Sequence, residues 1–192
     1  MKIPFCRPFV GNKEAKKASE TIKNGWLTSG ITTQEAEKKL AEYLGAKHVI
    51  LLSSCTAALQ LSLEYVKKKS GIKELTALVP SLTFAATATE VIHSGGKVLF
   101  GDVGSDMCLL PVNKPIYDVA IPVHLTGNKA DTNYDCYVIE DSAHLIEKNQ
   151  MIGNNNLVCF SFYATKNLTM GEGGAIATND DEAAEWFKQA RH

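Results

Sequence analysis

The chain has 192 residues with 20 basic and 21 acidic side chains, a net charge of −1. That size suits one domain with a sizeable core, and the balanced charge argues against nucleic acid or an anionic membrane as partner. No apolar run could span a bilayer and Met1–Pro8 has no signal-peptide apolar core, so a cytosolic protein is expected.

Asn12 to Asn24 reads as an amphipathic helix closed by Gly25. Thr32-Thr33-Gln34-Glu35 has the form of a capping box and opens a second helix that ends near Gly45. His48 to Leu52 is a short apolar run, read as a buried parallel strand. Thr56 to Lys69 has helical period, with Gly71 as its stop. Ala77 to Val79 is a strand ending at Pro80, and Phe84 to His93 a helix closed by Gly95 and Gly96. Val98 to Phe100, Val119 to Val123, Tyr137 to Ile139, Leu157 to Phe162 and Ala175 to Ala177 are further strands, and a last helix starts near Asp181. This alternation predicts an α/β three-layer sandwich on a mainly parallel sheet. Ligands of such sheets bind at the carboxyl ends of the strands, so the residues just after each strand are the candidates. Five widely spaced cysteines (Cys6, Cys55, Cys108, Cys136 and Cys159) make no C-x-x-C pair, and the five histidines have no ligand spacing. Neither a disulfide frame nor a metal site is expected.

Four strand ends carry candidate chemistry. At Ser53-Ser54-Cys55-Thr56-Ala57 a strand gives way to a helix, whose free amides and hydroxyls could cradle a phosphate; simple capping by Ser54 is the alternative. Phe84, after the Pro80 strand, could lie on a planar ring or could be core. Asp141 follows Val138-Ile139-Glu140 directly and could hold a protonated pyridine nitrogen, or cap a helix. Ser161 and Lys166 lie in Phe160-Ser161-Phe162-Tyr163-Ala164-Thr165-Lys166, ahead of Gly171-Glu172-Gly173-Gly174. A lysine amine leaving an apolar strand is desolvated, which favours the neutral form that attacks an aldehyde; a strand-end lysine snorkelling to water is the alternative. Together these parts describe a site for pyridoxal 5'-phosphate.

In order through the chain, Gly25-Trp26-Leu27-Thr28-Ser29-Gly30, Ser54 to Leu59, Pro80 to Phe84, Pro122 to Gly127, Ile139 to His144, Cys159 to Asn167 and Gly171 to Gly174 resemble the DegT/DnrJ/EryC1/StrS sugar-nucleotide aminotransferases. The resemblance implies the large domain of the type I aspartate-aminotransferase fold over residues 1–192. It implies that Lys166 bonds to the cofactor aldehyde and shuttles the proton, that Asp141 pairs with the ring nitrogen and that Phe84 stacks on the ring. Ser54, Cys55, Thr56, Ala57 and Ser161 would hold the phosphate, His144 would sit near the ring, and Thr28 and Ser29 near the substrate. The implied reaction moves an amino group from an amino acid, typically glutamate, to a keto group of a nucleotide-linked sugar. A dehydratase branch has histidine where this chain has Lys166.

The chain departs from the family pattern in three ways. It stops at His192, where the family continues into a C-terminal small domain that binds substrate and reaches across a homodimer. The links from Asp102 to Tyr117 (with Pro111 and Pro115), His124 to Cys136 and Leu145 to Asn156 show no helical period, so shortened crossovers are expected. Cys55 stands where the family usually has glycine. The alternative function is a non-catalytic remnant, or one subunit of a split enzyme, that keeps the cofactor pocket. A plain nucleotide-binding domain is disfavoured, because no G-x-G-x-x-G follows the first strand and no P-loop motif is present.

Overall fold

Seven strands form one sheet in the computed structural model, which describes residues 2–4, 6–112 and 116–192. The readings made at Met1, Phe5 and Pro115 lie outside the described residues. Helix α1 (Asn12–Lys23) and helix α2 (Ile31–Leu44) precede strand β1 (His48–Leu52), helix α3 (Cys55–Ser70), strand β2 (Thr76–Pro80) and helix α4 (Ala85–His93). Then come β3 (Lys97–Gly101), β4 (Val119–Ala120), β5 (Tyr137–Asp141), β6 (Leu157–Ser161), β7 (Gly174–Thr178) and helix α5 (Asp181–Ala190). The spatial order is β1-β7-β6-β5-β4-β2-β3. β6 through β3 pair in parallel, while β7 runs antiparallel to both β6 and β1.

The expected parallel pairing of His48–Leu52 is therefore corrected. β1 is an edge strand whose ladder is antiparallel, from His48 opposite Thr178 to Leu52 opposite Gly174. The cause lies late in the chain: β6 returns as β7 through a loop rather than a helical crossover, and β7 fills the space between β6 and β1. The strand read over Val119 to Val123 shortens to two residues, because Pro122 has no amide to donate. Its carbonyl instead accepts the Asp141 amide, and pairing resumes at the Val123–Asp141 bridge.

Side-chain alternation sorts the sheet into two faces. On one, Ile50, Val79, Val119, Ile139, Cys159 and Ile176 pack against Leu59, Leu63 and Val66 of α3, Val91 of α4 and Phe187 of α5. On the other, Val49, Val158, Phe160, Ala175 and Ala177 pack against Leu40 and Leu44 of α2 and against Met151. Toward β4 and β2 this second face has no helix among the described residues, and buried loop residues such as Leu109, Val123 and Ala130 lie there instead. The shortened links are seen as expected: residues 102–112 and 116–117 hold no helix, residues 124–136 only the single 3-10 turn Leu125–Gly127, and residues 145–156 only turns.

Helix ends follow the chain chemistry with one exception. α1 ends at Asn24 and Gly25 (φ 73°), and α3 is stopped by Gly71 (φ 74°), both glycines in the left-handed conformation such stops favour. The capping box read at Thr32–Glu35 is not formed. α2 starts earlier, at Ile31, and its cap is the extended Gly30, which offers no side chain. Gly30 lies against the Trp26 ring so closely that a Cβ would fall 2.2 Å from Trp26 Nε1, so the chain turns into helix before the threonines are reached. Among the described residues, no helix is long and apolar enough to cross a membrane.

Candidate active site

The register of β7 assembles the site. Gly174, its first residue, pairs with Leu52 of β1 on one side and Ser161 of β6 on the other. Because β7 runs antiparallel, its start lies at the edge where β1, β5 and β6 end. α3 begins at that edge. Ser54 is its cap, and the Ser54 hydroxyl accepts the Ala57 amide at 3.1 Å, so the capping reading of Ser54 is formed. The amides of Cys55 and Thr56 in the first turn have no intrahelical acceptor and carry the positive end of the helix dipole. Gly174 presses on this turn: a Cβ there would lie 2.3 Å from the Ser54 carbonyl carbon and 2.4 Å from the Cys55 nitrogen. A backbone collar of this kind accepts a phosphate group, and Ser161, half-buried on the α3 face of β6, adds a hydroxyl.

Asp141 ends β5 and is buried. It caps no helix. Its Oδ1 accepts the Ala143 amide at 3.1 Å and faces the Cys55 thiol at 3.9 Å, and its Oδ2 accepts the Thr87 hydroxyl at 2.9 Å. Burial, the Asp141 carboxylate and Cys159 all push the Cys55 thiol well up, so it is neutral at physiological pH. The side chain that replaces the family's glycine is thus turned to Asp141.

Lys166 sits in the folded loop between β6 and β7. The loop is closed by Lys166 N to Tyr163 O at 3.0 Å, Met170 N to Phe162 O at 2.9 Å and Phe162 N to Gly173 O at 2.9 Å. Its amine is half-buried, and burial lowers its pKa despite the opposing pull of Asp141 and Cys55. His144 is also held below its usual value, by burial and then by Lys166, while Asp141 acts the other way. Its Nδ1 accepts the Thr126 amide at 3.2 Å, so in the neutral ring Nε2 carries the proton. Thr126 holds that amide from a left-handed backbone, φ 57°. Cys6, Thr126, Gly127, His144, Thr165, Lys166 and Asn167 line an open cavity of about 320 Å³.

Cys55, His144 and Lys166 are thus all close enough to feel the Asp141 carboxylate. Ser54, Thr56, Ala57 and Ser161 ring the adjoining helix end. Phe84 is not core: it is 74% exposed at the start of α4, which follows β2, two strands from β5 in the sheet. Thr28 and Ser29 are not brought to Lys166. Ser29 lines a separate groove of about 570 Å³ with Trp26, Gly30 and residues of α1 and α2. Thr87, which the sequence reading left without a role, is fully buried against Asp141. The available signal was Thr83 and Thr87, four apart at the start of a helix and so able to meet.

The sequence profile of the DegT/DnrJ/EryC1/StrS aminotransferase family matches residues 8–192. The chain belongs to that family. The spore coat polysaccharide biosynthesis protein SpsC of Bacillus subtilis is 37% identical over 202 residues, which cover 95% of this chain and 51% of SpsC. A UDP-4-amino-4-deoxy-L-arabinose–oxoglutarate aminotransferase of Shewanella sediminis is 32% identical over 206 residues, 98% of this chain and 52% of that protein. Among solved structures, NtdA of Bacillus subtilis with bound cofactor PMP superposes with a TM-score of 0.82 at 28% identity, covering 98% of this chain and 48% of NtdA. The DegT/DnrJ/EryC1/StrS chain described here therefore spans about half the length of these relatives. The family is pyridoxal-phosphate dependent, and the residues present fit that group: a backbone collar for a phosphate, a buried carboxylate and a desolvated amine meet at one sheet edge.

Proposed function

We propose that residues 1–192 form the cofactor-binding large domain of a pyridoxal-phosphate-dependent aminotransferase. It takes an amino group from an amino acid, glutamate by preference, and gives it to a keto group of a nucleotide-linked sugar. The observation that carries this reading is the half-buried, weakened Lys166 amine beside the buried Asp141 carboxylate, at the edge where α3 points its N-terminus. Pyridoxal phosphate, when bound, supplies an aldehyde that captures amines and a ring that draws electrons away from the captured carbon. The Cys55 and Thr56 amides, with the Ser54, Thr56 and Ser161 hydroxyls, bind the phosphate. Asp141 keeps a proton on the ring nitrogen, and Phe84 covers the ring. Lys166 Nζ, whose proton is held less tightly because of burial, would take up a proton from the substrate and give it back. His144, neutral with its proton on Nε2, offers a donor at the cavity wall.

The acceptor class draws support from the relatives, one named for a UDP-linked amino sugar and oxoglutarate and another for spore coat polysaccharide. Cell-surface polysaccharide or amino-sugar biosynthesis follows as the setting. Thr28 and Ser29 belong to the substrate side, a reading supported for Ser29 by the groove that it lines beside the exposed Trp26 ring. Five unpaired cysteines support a cytosolic location. A second copy of this chain completes the site: α1 buries none of its residues, and Phe9, Trp26 and Leu27 are exposed.

The test is spectroscopic. Protein incubated with pyridoxal phosphate gains a visible absorption band that survives gel filtration and is absent in Lys166→Ala. Glutamate then shifts the band to the aminated cofactor's wavelength. Absence of any band refutes the cofactor reading. A band that no amino donor moves reassigns the chain as a cofactor-holding subunit without chemistry of its own.

A further inference from the structure

The Asp141 carboxylate is held by donors from three elements. Two oxygens offer about four acceptor positions, two on each. On Oδ1 both are filled, by the Ala143 amide at 3.1 Å and the Cys55 thiol at 3.9 Å. On Oδ2 the Thr87 hydroxyl fills one at 2.9 Å. The position left open is therefore on Oδ2, the oxygen that Thr87 grips.

Thr87 is itself fixed. It is fully buried in the first turn of α4, and its hydroxyl meets that of Thr83 at 2.8 Å. A carboxylate only accepts, so Thr87 spends its single proton on Asp141, and Thr83 must then donate to Thr87. The result is a one-way chain, Thr83 to Thr87 to Asp141 Oδ2. Because α4 directly follows Phe84, it ties the carboxylate to the residue proposed to cover the ring.

We propose that Thr87 is the positioning residue of this site: with Thr83 behind it, it sets the rotamer of Asp141 and makes Oδ2 the oxygen that accepts the hydrogen bond of the protonated ring nitrogen. The inference rests on the pyridoxal-phosphate reading above. Cys55 has the subordinate part, since its contact is long and falls on the other oxygen. Thr87→Val keeps the shape of the side chain and removes the donor. It leaves Asp141 one hydrogen bond short and Thr83 without its acceptor. Thr87→Ser restores the hydroxyl.

The experiment measures pyridoxal phosphate dissociation and the pH midpoint of the visible band in wild type, Thr87→Val and Thr87→Ser. Circular dichroism checks that each is folded. Thr87→Val is expected to bind about tenfold more weakly, because an Asp141 released from this rotamer loses part of its bond to the ring nitrogen. Its midpoint also moves up. With the ring nitrogen less firmly protonated, less electron density is drawn from the Lys166 nitrogen, which then keeps its proton to higher pH. A purely structural role for Thr87 would lower stability without moving that midpoint. Thr87→Ser returns both values to wild type. Wild-type binding with an unmoved midpoint in folded Thr87→Val overturns this inference alone. If wild type forms no band, the cofactor reading falls and this inference with it. Should Thr87→Val fail to fold, Thr83→Val decides: an upward midpoint supports the hydroxyl chain and an unchanged one overturns it.

Discussion

Asp141 ends an apolar strand and Lys166 stands in the loop that leaves another, which is why both could be picked out from sequence: a charged group at the end of a buried run has few structural reasons to be there. Thr87 could not, because its burial depends on where β5 ends relative to α4, a tertiary fact. The cost of the Lys166 environment can be measured. Burial lowers its pKa in the folded chain below the ordinary 10.5, so the unfolded chain binds the proton better. That penalty is full below the folded pKa, shrinks above it and is gone above about 10.5. Cofactor-free Lys166→Met should therefore melt higher than wild type at pH 7, with the gap closing as the pH is raised toward that value. A variant less stable than wild type at neutral pH would contradict the assignment of a strained, desolvated amine.

At the level of elements, helix stops were easy to read and starts less so. Gly25, Gly45 and Gly71 stop α1, α2 and α3 with positive φ, a local requirement visible in the residue type. The threonines at 32 and 33 look like a cap but are overtaken by Gly30 folding against Trp26, and period alone could not show that β1 would pair antiparallel with β7. α5 depends on a cap that does more than one thing. Asp180 Oδ1 accepts the Glu182 and Ala183 amides at 2.9 and 3.2 Å, while Oδ2 pairs with Lys69 and the Tyr65 hydroxyl of α3. The hydrogen bond and charge from Lys69 and the two amides lower its pKa against the opposing effect of burial. Asp180→Ala should cost about 1–2 kcal/mol in urea unfolding, the upper range for a lost cap. Asp180→Asn, which keeps the cap and loses the ion pair, should cost less than half of that.

For the whole molecule, the sheet's two faces are held by different means. α3, α4 and α5 cover one with apolar side chains. On the other, the region around β5 relies on a buried polar junction. Glu140 accepts His124 Nε2 at 2.9 Å and the amides of Asn154 and Asn156 at 2.8 Å each, and His124 Nδ1 accepts the Ala130 amide. Burial pushes the Glu140 carboxyl up, but the bonds from His124, Asn156 and Asn154 outweigh it and leave it lowered. Its contribution is present above the ordinary 4.5 and is lost as pH falls through the lower folded value. Glu140→Gln should be less stable by roughly 2 kcal/mol at pH 7, as for loss of bonds to a charged acceptor. Chemical denaturation at a series of pH values should show the difference disappearing below about 4.5. Nothing in the alternation of Val138, Ile139 and Glu140 announced this junction, because its partners come from two loops of no regular period. The antiparallel β7 has a consequence for the order of events on the ribosome. Lys47 and Asn179, which bond at the β1–β7 border, are 132 positions apart. β1 therefore emerges early and waits, an edge with an open ladder, until nearly the last strand is made. Contacts this distant in sequence close slowly. The amine loop and the phosphate collar meet only at that closure, so the nascent chain gains its cofactor pocket in the same late step that first pairs its earliest strand.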